Sequence, residues 1–449
     1  MNAAMQIVKK ANRLDTASLN NRMVNDYWTS VFNAKQEGRL VCWYEGVAIN
    51  PLMQAADVSW VHGEAWSALL AARNNEVKPQ QAAENRGYLK ELCSYARTHI
   101  GCGVMAQRRE EQDSGTFADA LAGGQLAERV PVPDFFISAY PYCSTGQQWD
   151  EMLFRLFGKK VPVFNISIPW VWGNKPDARY LSGAEFKDAT QFIVRQLREC
   201  IKFIEARTGR PYDFDKLCEI MAYTKEAGRL RMEAMALCRA KPAPASFFDW
   251  TTSLAPVNFV AGGPAIVDYF RKVKEEIEVR IAAGVGTIPR ERYRLFWDGI
   301  MNWNKIGWLA NKFAGMDAAM VAGRYTHMGF WHEHECIDVK DPLEGMAINY
   351  LVCPINLSAP LMVEQIVRLC REYEIDGLVL HAARTCRAFS NPQFLIAEAV
   401  QKQLGLPVAM IEGDMVDESF YKDELINSRV EAMLEAADSR LRRGITAYA

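Results

Sequence analysis

The chain has 449 residues, 49% of them hydrophobic and 24% charged, with a formal net charge of −2. That length exceeds what one compact core accommodates, so two or three domains are expected, and the near balance of charge gives no global field that would draw the protein to nucleic acid or to an anionic membrane. The N-terminal residues lack the apolar stretch of a secretory signal, and no apolar run approaches the roughly 18 residues of a bilayer span, so a cytoplasmic location is expected, with no nucleic-acid or membrane partner.

Residues 1–38 read as a polar helical arm. Residues 39–176 read as a first α/β unit, with strands expected at 39–47 and 57–62. Between 84 and 100, Tyr88, Leu89, Leu92, Tyr95 and Ala96 share one helical face, and the glycines at 101 and 103 are expected to end that helix. This spacing puts Cys93 in the helix and Cys102 in its glycine turn. A strand then runs from Asp134 into a thiol at Cys143, and a second apolar run follows at 160–164. Pro169 to Pro176 is rich in breakers and marks a boundary.

Residues 177–288 read as helical. Ser182 and Glu185 have capping-box spacing, and Phe186, Ala189, Ile193, Leu197, Cys200, Ile201 and Ile204 form one stripe at intervals of three and four. Further helices are expected at 214–238 and 264–283. Residues 289–449 read as a second α/β unit: strands at 293–297 and 319–321, helices at 304–313 and 360–373, a strand from Asp376 into a thiol at Cys386, an apolar run at 406–410 and a last helix at 427–443.

Two segments therefore match: each starts at an aspartate, runs as a strand into a cysteine, and continues through a helix to a second strand. That is the βαβ signature of a parallel sheet. The expected fold is α/β, with two related parallel-sheet (Rossmann- or flavodoxin-like) domains and an intervening helical segment. In open α/β sheets ligands sit outside the carboxyl ends of the strands, where both thiols fall.

Eleven cysteines with no CxxC pair argue against a zinc ribbon or a bacterial ferredoxin-type run. Cys200, Cys218, Cys238, Cys353 and Cys370 have apolar surroundings and read as small buried hydrophobes; Cys42 is ambiguous and Cys336 lies in a polar loop. Cys93, Cys143 and Cys386 differ, because each lies near an element end with polar or small neighbours, the setting that favours thiolates and metal ligation. Three such thiolates suit an iron–sulfur cluster with one position left open, although a packing role for them stays open at this stage. The segment from His327 through His332, His334 and Cys336 is a rival metal site, but its spacing matches no H-E-x-x-H helix and a solvated loop is the plainer reading. No GxGxxG or P-loop occurs, so the chain shows no sign of binding ATP itself.

Leu92-Cys93-Ser94-Tyr95, the thiol after the strand at Cys143, the run from Asp376 through His381 to Cys386, and Ile411-Glu-Gly-Asp414 together resemble the 2-hydroxyacyl-CoA dehydratase/benzoyl-CoA reductase family. Within it, the chain is most similar to the larger catalytic, B-type subunit of ATP-dependent class I benzoyl-CoA reductases. Glu45-Gly46 stands where dehydratase subunits carry a Tyr-Thr/Ser-Pro type segment, which favours the reductase branch. The likeness covers the chain from about Arg39 onward.

The resemblance implies a 4Fe-4S cluster held by Cys93, Cys143 and Cys386 with its fourth site open. It implies a homologous cluster-bearing partner subunit, two ATP-hydrolysing activator subunits with a bridging 4Fe-4S cluster, and ferredoxin as electron donor. The substrate it implies is benzoyl-CoA, reduced to a cyclohexadiene-1-carbonyl-CoA. Tyr44, Glu45 and His381 are the candidate proton donors, each with an ordinary structural role as the competing reading. Arg384 is placed to tune the cluster's charge, and Arg387 to bind CoA phosphate or to do the same. Two alternatives remain: a 2-hydroxyacyl-CoA dehydratase subunit, and a non-catalytic electron-relay or scaffold subunit paired with a substrate-binding homologue.

Overall fold

The computed structural model describes residues 11–108, 115–141, 143–171, 183–260, 262–328 and 331–443. Ser182, the 172–176 part of the expected boundary, and the first ten residues of the arm lie outside these. Two four-stranded sheets form, and every strand pairing is parallel. The first comprises β1 (Val41–Gly46), β2 (Ser59–His62), β3 (Phe135–Ala139) and β4 (Val163–Asn165), in the order β2-β1-β3-β4. The second comprises β5 (Tyr293–Asp298), β6 (Ala318–Gly323), β7 (Gly377–Ala383) and β8 (Val408–Gly413), in the order β6-β5-β7-β8. The two orders are the same topology, and the chain reverses direction across the sheet between β1 and β3 and again between β5 and β7. Such switch points are where open α/β sheets gather ligands.

Apart from the edge strands β4 and β8, the strands are buried on both faces, as parallel strands generally are. In β1, Val41 and Trp43 enter one core while Cys42 and Tyr44 enter another; in β5, Leu295 and Trp297 face away from Phe296. One core takes a face of both sheets together with the helices Ala184–Thr208, Phe214–Leu237 and Pro264–Ala282. Phe186, Ile193, Leu197, Cys200 and Ile204 of the predicted stripe are buried there. No described helix is long and apolar enough to cross a membrane.

The duplication extends to single bonds. Asp134 accepts the Val41 amide at 2.7 Å and returns its own amide to the Val41 carbonyl at 2.8 Å. Asp376 does the same with Arg294, at 2.9 and 2.7 Å. Gly46 (φ +90°) is the last residue of β1 and Gly299 (φ +109°) follows β5, and a Cβ on either would meet the neighbouring strand's carbonyl, 2.1 Å from Ala139 O and 2.4 Å from His381 O.

One expectation fails. The segment 84–100 is not one helix: Val77–Glu84 and Ser94–Ala106 are separate, and Cys93 caps the second rather than lying within a helix. Gly101 and Gly103 stand inside that helix. They end nothing because they serve close packing: a Cβ at Gly101 would lie 1.7 Å from Pro79 O, and one at Gly103 2.9 Å from Leu156 Cδ2.

Candidate active site

Three cysteines occupy the same local position. Cys93 precedes Ser94–Ala106, Cys143 precedes Ser144–Leu156, and Cys386 precedes the short helix Arg387–Ser390, each as the residue just outside the first turn. None of the three sulfurs accepts a capping hydrogen bond, but the backbone N–H groups three residues on, at Ala96, Gly146 and Phe389, act to lower the respective thiol pKa values. These are the orphan amides of a helix start, which favour negative charge. The three positions are reached from β3, from β7 and from the loop before the Ser94–Ala106 helix, so the switch points of both sheets contribute.

The thiols are half-buried and act on one another. Burial pushes Cys93 well up, with Cys386 and Cys143 adding to it. Burial raises Cys386 to about 12, again helped by Cys143, and raises Cys143 to about 11, helped by Glu64. The charged groups that act most strongly on these thiols are themselves acidic and oppose a thiolate, so as free groups they stay protonated near neutral pH; a bound metal would supply positive charge and displace the protons. Among the described residues no three or more His, Cys, Asp or Glu side chains converge as they would on a single ion. Cys93, Cys143 and Cys386, whose charges act on one another, are the residues that could hold a cluster, in which each thiolate would bind a different iron.

The loops bearing these cysteines are tied together. Ser94 N–H donates to Thr385 Oγ1 at 3.0 Å, and Thr385 donates from its amide and hydroxyl to Asp414 Oδ2 at 2.9 and 2.6 Å. Arg97, one turn after Cys93, pairs with Asp417 and, at 3.2 Å, with Glu84. Tyr95 accepts from Trp303 Nε1 at 2.5 Å and bonds Tyr325, whose ring lies 5.8 Å from that of Phe389. An aromatic wall thus borders Cys93 and Cys386.

The predicted proton donors lie at different depths. Glu45, at the end of β1, is 1% exposed, and its Oε1 lies 2.6 Å from His99 Nδ1. Burial drives this carboxyl well above the usual range, with Asp150 and Glu64 adding to it, and the amides of Glu64 and Gly63 opposing. Tyr44 is fully buried and stacked on His62, 4.5 Å between ring centres. His381 is fully buried in β7, with Nδ1 2.6 Å from Ile300 O and its pKa lowered by burial. Arg384 is exposed, its amide bonded to Gly413 O at 2.8 Å.

Four residues that the sequence did not single out join the site. Glu64 follows β2, its side chain one-third exposed and 3.4 Å from His62 Nε2. It acts electrostatically on Cys143, Cys386, Tyr95 and Tyr325 on one side and on Glu45 and Asp150 on the other. Cys353, read as packing, has its thiol raised to about 12 by burial and faces the charges of Glu64 and Cys143. His99 and Asp150 lie behind Glu45. The only sequence signal for Glu64 was its place just after a strand end in a His-Gly-Glu run; Cys353 had none beyond the proline that follows it. The rival histidine segment is solvated only in part: Glu335 and Cys336 are exposed and His332 and His334 half-buried, whereas His327 is buried, its pKa lowered to about 3 by burial and then by Arg231, and burial lowers that of His332 as well. Residues 329 and 330 within it lie outside the described residues.

Comparison with known proteins shows the family of the chain. The family model for the 2-hydroxyglutaryl-CoA dehydratase D-component matches residues 49–436. The chain is 27% identical over 428 residues to the (R)-2-hydroxyisocaproyl-CoA dehydratase alpha subunit of Clostridioides difficile, covering 94% of this chain and 97% of that one. It is 25% identical over 410 residues to the alpha subunit of lactoyl-CoA dehydratase from Anaerotignum propionicum, covering 91% and 93%. It is 27% identical over 371 residues to the B-type subunit of benzoyl-CoA reductase from Thauera aromatica, covering 80% and 79%. The chain belongs to the 2-hydroxyglutaryl-CoA dehydratase D-component family, which takes in these dehydratase and reductase subunits.

Proposed function

We propose that this family member is the B-type subunit of an ATP-dependent benzoyl-CoA reductase, with Cys93, Cys143 and Cys386 holding a 4Fe-4S cluster. When bound, such a cluster supplies low-potential single electrons and, at an iron without a cysteine, a Lewis-acid position for a thioester oxygen. In this reading the chain pairs with a homologous subunit and receives electrons from ferredoxin through ATP-hydrolysing activator subunits. Tyr95, Tyr325 and Phe389 offer ring faces for a flat aromatic acyl group. Glu64 is the acid that both solvent and the thiols reach.

The observation that carries the reductase reading over dehydration is the store of buried acids behind Glu64. Ring reduction consumes two protons with two electrons, whereas dehydration returns its electron and takes up no net proton. Glu45 and Asp150 are both held above the ordinary carboxyl range, and a raised carboxyl keeps its proton near neutral pH. The second reading, a 2-hydroxyacyl-CoA dehydratase subunit, is supported by the longer coverage of the dehydratase relatives.

The test is an anaerobic assay of the complete complex with its activator, offered benzoyl-CoA and a set of 2-hydroxyacyl-CoA thioesters. Formation of a cyclohexadiene-carbonyl-CoA supports the proposal; turnover of hydroxyacyl thioesters alone would replace it with the second reading.

A further inference from the structure

The two sheets place equivalent residues in opposite chemical states. By strand register Gly46 pairs with Ala139 as Gly299 follows the Asp298–Leu380 pair, which makes Glu45 the counterpart of Asp298. Tyr44 pairs with His62, and Trp297 with Gly323, so the next residues, Gly63 and Arg324, are counterparts as well. Both open a helix.

In the C-terminal half, Arg324 grips Asp298 in a fork, Nε to Oδ1 at 2.7 Å and Nη2 to Oδ2 at 3.2 Å, with both side chains fully buried. Gln393 Nε2 adds a bond to Oδ2 at 3.0 Å. This is a permanent ion pair.

In the N-terminal half the matching arginine is absent, because Gly63 stands there. A Cβ on Gly63 would lie 2.0 Å from Glu45 Oε1 and 2.2 Å from His99 Nδ1. The space that the cation's side chain would enter is filled instead by an imidazole touching the acid. His99 is fully buried between two indoles, 4.5 Å from the Trp43 ring and 5.6 Å from the Trp149 ring.

We propose that Glu45 and His99 form a buried proton-holding pair, built by exchanging the structural arginine of the duplicated scaffold for glycine, and that it feeds protons to the thiol-lined site through Glu64. The role in turnover rests on the reductase reading above; the shared proton does not. The groups facing the pair are Asp150 from the Ser144–Leu156 helix, Glu64 from the start of the Gly63–Ala72 helix, Tyr44 on β1 and, beside His99, His62 at the end of β2. None of these is a lasting cation. The charge-separated form is therefore disfavoured, and the pair rests as a carboxylic acid beside a neutral imidazole, Oε1 2.6 Å from Nδ1. His99 is in keeping, its pKa lowered to about 3 by burial and then by His62.

The step moves one proton and no electron. The O–H bond of Glu45 breaks, the proton passes to the Glu64 carboxylate and on to the substrate side, and the nearby amides of Gly63 and Glu64 act in favour of the anion left on Glu45. Water at the one-third-exposed Glu64 side chain replaces the proton.

The first measurement needs neither substrate nor activator: infrared difference spectra of the anaerobic complex at neutral pH, wild type against Glu45→Gln. Loss of a carboxylic-acid C=O band in the variant supports the proposal. Its absence from the wild type, with Glu45 appearing as a carboxylate, would overturn it. Recording both spectra in an Asp150→Asn background keeps that carboxyl, whose charge acts on Glu45, out of the difference. The second measurement is the pH profile of turnover: Glu45→Gln is expected to lose about 10²-fold or more in kcat with KM little changed, and Glu45→Asp to recover part of it. An unchanged kcat and pH profile in Glu45→Gln would end the relay role. Should the wild type fail to reduce a ring at all, the functional reading falls while the infrared result stands on its own.

Discussion

Ser94 and Thr385, 291 positions apart in the chain, meet through one hydrogen bond of 3.0 Å from the Ser94 amide to Thr385 Oγ1. Thr385 passes the connection on to Asp414, so a single hydroxyl fixes the start of the Cys93 helix against the Cys386 loop. Thr385→Val keeps the shape but leaves the Ser94 amide buried without an acceptor, at a cost of about 1–3 kcal/mol. Thr385→Ser should recover most of it. Anaerobic denaturant titration measures both, and an unchanged midpoint in Thr385→Val would remove the tie.

Serine at Cys93, Cys143 or Cys386 is expected to lower iron and acid-labile sulfide in the purified complex. Cys200 is buried in the Ala184–Thr208 helix, and its serine variant should keep both. Metal analysis of the four variants side by side decides the matter; equal loss in all of them would dissolve the ligand assignment.

Asp150 is 7% exposed, and its carboxyl is raised to about 7 by burial, against a Ser138 hydrogen bond and with help from Glu64. The folded form thus binds this proton more tightly than the unfolded chain. Its stabilising contribution is complete below the ordinary carboxyl range and is lost as pH rises through about 7. Asp150→Asn removes that slope, so the variant should gain on wild type between about pH 4 and pH 8, on the order of 2–4 kcal/mol. Parallel stability curves for the two proteins would contradict it.

Arg324→Met strands the Asp298 carboxylate in the core and is expected to cost about 3–5 kcal/mol. Replacing Asp298 by leucine in the same chain should restore much of the loss, since the uncompensated charge goes with it. Chemical denaturation of single and double variants tests this, and a double variant as unstable as the single one would refute the account.

Gly46→Ala and Gly299→Ala should each cost about 2–5 kcal/mol, since both combine positive φ with a Cβ overlapping a strand carbonyl. Gly209→Ala, with φ +67° but open space around it, serves as the comparison and should cost about 1 kcal/mol. Similar midpoints for all three would show that the close strand approach is not the cause.

The duplicated sheets were legible because their cues are local: an aspartate, an apolar strand and a cysteine in the same order, at Asp134 and again at Asp376. Glu45 was legible from its place at a strand end. His99 was not, because it lies inside a helix buried on nearly every side, where a one-face stripe gives no warning. Cys93 was placed within a helix because Gly101 and Gly103 read as a terminator; what those glycines accommodate is the Pro79 carbonyl and the Leu156 side chain, tertiary neighbours that no local pattern announces. Cys353 sits among apolar residues in sequence, and only folding brings it toward Cys143.

The Ser94–Thr385 link also sets a timetable for synthesis. A nascent chain that has left the ribosome only as far as β6 carries two of the three helix-start sulfurs and lacks both the third and the hydroxyl that clasps the Cys93 helix start to the Cys386 loop. Any inorganic centre seated there has to be loaded after Cys386 has been made, so delivery factors would meet a chain that already carries seven of the eight described strands, and fragments cut short before Cys386 should emerge colourless.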